Sequence, residues 1–143
     1  MAVPNTAQIY GLTGDVQWTT TAMTLGNTNM AGTVGATTPV FTASGGAGGA
    51  GSMLQYVQFR PLGTVTANVA RVFINNGATP ATEANNVLFA EVTLPACTAA
   101  TTGSMDGVSL TMNLVMKGGT NVYLTLGQDT SPGWKATGVG MSY

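Results

Sequence analysis

The feature that most constrains this chain is a two-residue alternation of apolar and polar side chains, recurring in short runs that glycine, proline or asparagine closes. Residues 108–116 show it most cleanly, with Val108, Leu110, Met112 and Leu114 on one face and Ser109, Thr111 and Asn113 on the other. A period of two sends alternate side chains to opposite faces of an extended strand. No window sets apolar residues at three-to-four spacing against a face of good helix formers. The chain is therefore expected to build itself from strands.

Further strands are predicted over residues 39–43, 53–60, 64–74, 87–94, 121–126 and 134–143. Residues 15–23 read as an early strand or extended arm, with Val16, Trp18 and Thr20 on one face. Pro61 and Pro95 lack the N–H a ladder needs, so they belong at strand ends. Residues 44–52 are too glycine-rich for regular structure, and 75–86 form a loop opened by Asn75, Asn76 and Gly77. Glycine at 138 and 140, inside a strand pattern, points to a bulge or a close backbone approach. Seven or eight short strands favour an all-β fold, an antiparallel β-sandwich of jelly-roll-like form. Residues 39–143 are assigned to the sandwich and 1–38 to an extended N-terminal arm containing a possible short strand. No fixed-period repeat suggests a solenoid.

At 143 residues, a chain that is 44% hydrophobic can bury a core without disulfides or metals. Its one cysteine, Cys97, is read as an apolar packing residue. No run approaches the length of a membrane helix, and the first eight residues lack the basic-then-apolar order of a leader. Only 6% of residues are charged. A surface so poor in repulsive charge favours self-association or life inside an assembly.

The same scarcity bears on chemistry. There is no histidine, which removes Ser-His-Asp and Cys-His arrangements. Glu83, Glu91, Asp106 and Asp129 leave a carboxylate pair conceivable, although loop and strand placement reads them as solvated charges. No zinc or calcium spacing occurs, so neither metal nor cofactor is expected. Arg60, Arg71, Lys117 and Lys135 are scattered, whereas nucleic-acid backbones call for clustered cations. The glycine-rich loop lacks the Gly-Lys-Ser/Thr ending of a phosphate loop. Its glycines, Gly46 and Gly49 among them, are read instead as close-contact points with a neighbouring subunit. Tyr10, Trp18, Trp134 and Tyr143 are candidate interface anchors. An exposed aromatic platform for carbohydrate is the alternative use of these four together with Tyr56 and Tyr123.

Several phrases carry a likeness: residues 7–16 (AQIYGLTGDV), 41–46 (FTASGG), 69–77 (VARVFINNG), 88–96 (LFAEVTLPA) and 133–143 (GWKATGVGMSY). Together they resemble the small β-sandwich virion proteins of tailed bacteriophages that decorate or cement the head. The resemblance implies a non-enzymatic capsid decoration protein, assembled in the host cytoplasm onto the capsid surface. It also implies a symmetric oligomer, with a trimer favoured, bound to the major capsid protein. In that reading the arm reaches onto a neighbouring subunit. The alternative is a tail-associated, receptor- or carbohydrate-binding β-sandwich module.

Overall fold

A computed structural model describes residues 13–34, 38–45 and 49–143. Eight strands are formed: β1 (Thr13–Trp18), β2 (Phe41–Thr42), β3 (Ser52–Pro61), β4 (Asn68–Asn75), β5 (Asn86–Leu94), β6 (Val108–Met116), β7 (Asn121–Leu126) and β8 (Trp134–Ser142). One three-residue 3-10 turn, Glu83–Asn85, precedes β5. Among the described residues no helix is long and apolar enough to cross a membrane.

The strands make two antiparallel sheets of four, ordered β1-β8-β3-β6 and β2-β7-β4-β5. Consecutive strands change sheet, except for the β4–β5 hairpin. The pairs are nested, β1 with β8, β2 with β7, β3 with β6 and β4 with β5. The expected all-β sandwich is therefore present. Alternation decides which side chains go inside: Leu54, Val57 and Phe59 of β3, Ala70 and Val72 of β4, and Val122, Leu124 and Leu126 of β7 meet between the sheets.

Proline ends strands as expected, with Pro61 the last residue of β3 and Leu94 closing β5 before Pro95. Residues 64–67 depart from the expected strand. Val65 instead exchanges both of its main-chain bonds with Cys97 in an isolated bridge, which diverts the chain before β4 begins. Threonine and valine suit a strand, but here no neighbour lies alongside to extend the ladder.

Glycines at 138 and 140 mark a close approach. A side chain at Gly138 would lie 3.1 Å from the Phe41 ring of the opposite sheet, and one at Gly140 would collide with the Met53 carbonyl. Opposite them the β3 ladder shifts register between Leu54 and Tyr56.

The described portion of residues 1–38 lies along its own sandwich. β1 is the edge strand beside β8. Beyond it, Met23 exchanges bonds with Trp134, and Gly26 bridges Leu126 of the second sheet. Residues 26–34 then cross the outer face of that sheet, where Val34 packs on Phe73 and Tyr123. The buried Arg71 pins the crossing: Nη1 donates to the Asn27 carbonyl at 2.9 Å and Nε to Glu91 Oε1 at 2.8 Å. Residues 13–34 thus belong structurally with the sandwich body, because their hydrogen bonds go to β7, β8 and β4. The first twelve residues lie outside the described ones.

Candidate interaction surfaces

The crossing segment leaves the two sheets unequal. The outer face of the second sheet is covered by residues 26–34, whereas nothing among the described residues lies over the outer face of the first. Pairing register sets three rows across that bare face: Trp18–Thr137–Gln58–Ser109, Val16–Val139–Tyr56–Thr111 and Gly14–Met141–Met53–Val115. An antiparallel sheet with one solvated face ordinarily reads apolar-in and polar-out. Here the outward positions include two methionines, three valines, a tyrosine and a tryptophan. Trp18 is 59% exposed, Val16 52%, Val115 65% and Tyr56 37%. Contiguous apolar surface of this kind marks an interaction site.

Charge stays at one end of the face. Arg60 and Lys135 are register partners there, and each is engaged locally, Arg60 donating to the Met105 carbonyl and Lys135 to that of Thr20. An apolar centre with threonine, serine and glutamine around it has the anatomy of a protein–protein contact.

The anchors named from sequence separate sharply. Trp18 stands on the bare face. Trp134 is 0% exposed and sits in the core between the sheets, its indole Nε1 buried without a partner among the described residues; as an interface anchor it is corrected to a packing residue. The alternation that placed it in a strand could not tell the inner face from the outer. Tyr143 is half-buried at the end of β8, with its N–H donating to the Gly51 carbonyl. Gly49 closes its own loop, since any side chain there would strike the Gly45 backbone. Its close contact is thus within the chain. Ser44 and Ser52 lock the base of that loop through their hydroxyls. Tyr10 and Gly46 lie outside the described residues.

What sequence reading missed is Met53, Val115, Val139 and Met141. A signal existed in β8, where Ala136, Gly138 and Gly140 alternate with Thr137, Val139 and Met141. Small residues on one face need a close neighbour, so the larger, outward ones had to be the exposed set.

A second feature is a cleft of about 650 Å³ between residues 19–28 and β7, lined by threonines 19, 21, 24 and 125 together with Met23 and Leu25. Among the described residues no charged or aromatic side chain lines it. Thr125 Oγ1, buried beside it, has no hydrogen-bond partner among the described residues.

The carboxylates are dispersed. Glu91 is paired with Arg71, Asp129 Oδ1 accepts from the Gly26 N–H at 2.7 Å, and Glu83 and Asp106 are exposed on separate segments. Among the described residues no three metal-ligating side chains converge. Cys97 is free and half-buried, packed on the core. Comparison with protein-family models, with curated proteins and with solved structures returns no match to this chain.

Proposed function

We propose that the chain is a non-enzymatic virion structural protein, a capsid decoration or cement protein, that adheres to the major capsid protein of a bacteriophage head. The observation that carries the reading is the uncovered apolar face of the β1-β8-β3-β6 sheet, 59% exposed at its tryptophan. An apolar face with its few charges at one end suits persistent adhesion, because contacts that do not depend on ion pairs change little with salt. Support also comes from the two-sheet antiparallel sandwich with nested strand pairs, which we read as jelly-roll-like, an architecture that capsid proteins use and that lectins use as well. Architecture alone assigns no role, so the weight rests on the face.

The test is occupancy. Purified heads of the encoding phage, stripped of this protein, are mixed with wild-type chain or with Trp18→Lys/Tyr56→Lys and sedimented. Both side chains are exposed, so the variant is expected to fold. The reading expects saturable binding by wild type and at least a tenfold weaker binding by the variant. Wild type left in the supernatant contradicts it.

A second reading, a receptor- or carbohydrate-binding module, draws on the same observation, because Trp18 and Tyr56 are two exposed aromatics on one face. Glycan titration that quenches Trp18 fluorescence, together with unimpaired sedimentation of the variant with heads, would favour it.

A further inference from the structure

The sandwich is closed on one side and open on the other. On the β1/β2 side, Gln17 of β1 is hydrogen-bonded to Thr42 of β2, and residues 19–28 run past the gap between the sheets. On the β5/β6 side no segment among the described residues does this. There the inward-facing Ala90 and Val92 of β5 and Val108, Leu110, Met112 and Leu114 of β6 pack on the core yet remain only half-buried. Beside them Val87 is 58% and Phe89 47% exposed. These side chains are core members with one flank in water.

We infer that a second copy of this chain covers the β5/β6 side, so that two half-closed cores complete each other. Three observations select that occupant. The first is continuity: obligate homomeric interfaces resemble a domain core cut in half, and this surface is the edge of the core itself. The bare sheet face, backed by its own sheet, is not.

The second is charge. The inward row carries none, and the one ionised residue of the two strands, Glu91, is paired with Arg71. The surface is therefore compatible with itself, as an isologous contact requires. The third is area. Two nine-residue strands, about 30 Å long and bounding a gap of about 10 Å between sheets, with their flanks offer on the order of 500 Å² per copy, so a pair reaches the ~1,000 Å² that a specific interface needs.

The geometry also sets the kind of contact. Both edges are interrupted, β6 by a bulge with Asn113 at φ 46° and β5 by a bulge at Phe89. Bulges on edge strands obstruct continuous strand addition. The copies therefore meet through side chains and form a closed oligomer instead of a growing sheet.

This inference is independent of what the other face binds. Its test is the solution mass of the full chain by sedimentation equilibrium at about 10–100 μM, for wild type, for Val87→Lys/Phe89→Lys and for the face variant Trp18→Lys/Tyr56→Lys. Circular dichroism verifies that each folds. The expected result is a closed oligomer for wild type and for the face variant, and a monomer for the edge variant. A second measurement needs no variant: Met112 should be oxidised by mild peroxide at least severalfold more slowly at high than at low protein concentration, while Met53 and Met141 react alike at both. A monomeric wild type, or an edge variant that keeps its mass, overturns the inference. Head binding by a protein that is monomeric would sink this inference alone, and failure to bind heads by a stable oligomer would sink the decoration reading alone.

Discussion

Two aromatic residues show how burial, more than identity, assigns roles in this molecule. Trp134 and Trp18 occupy strands that pair with each other, yet one is sealed between the sheets and the other stands in water. The Trp134 indole N–H finds no partner among the described residues; an unmet hydrogen bond costs about 1–3 kcal/mol, which the burial of so large a side chain outweighs. Tyr123, packed against Phe73 and Val34 beneath the crossing segment, is a third case. Burial pushes its phenol above the ordinary range, by desolvation of the phenolate. The unfolded chain then ionises before the folded one. Stability from this group is intact below pH ~10 and declines as pH rises through the folded value. Urea midpoints measured from pH 8 to 11 are expected to fall for wild type more steeply than for Tyr123→Phe; parallel declines would contradict the burial of the hydroxyl.

Among the elements, the two-residue β2 and the edge strand β1 are held by side chains as much as by ladder. The Gln17 amide substitutes for a strand neighbour: its Oε1 accepts from the Thr42 N–H at 2.8 Å, and its Nε2 donates to the Thr42 carbonyl at 2.9 Å. Gln17→Ala leaves both Thr42 groups without partners, and a loss of about 1–3 kcal/mol is expected in urea unfolding. Unchanged stability would show that the sheets do not need this clamp.

Strand existence was legible because alternation and punctuation agree, as in β6, where four apolar residues share the predicted face, and at Pro61 and Pro95. Residues 64–67 were misread for the opposite reason. Their β propensity is high, but a strand exists only where a neighbour pairs with it. The bare face was half legible. Val16 and Trp18 were seen to share a side, but nothing in a single strand tells which side the second sheet will cover. That depends on where residues 26–34 cross, a long-range choice fixed by Arg71 and Val34.

At the scale of the whole molecule, the chain uses residues 13–34 to close one side of the sandwich and the outer face of one sheet. Among the described residues two apolar surfaces remain, the bare β1-β8-β3-β6 face and the open β5/β6 side, and they differ in kind. One is a backed sheet with a polar surround, suited to a foreign protein surface. The other is an unfinished core, suited to a copy of itself. With nine ionised residues in all, association through either depends on shape and apolar burial more than on charge. The most direct measurement is difference density from cryo-electron microscopy of intact and stripped phage heads. The account predicts added density over the capsomers, fitted by this sandwich with Trp18 and Tyr56 turned toward the lattice; density confined to the tail, or a fit with that face turned to solvent, would contradict it.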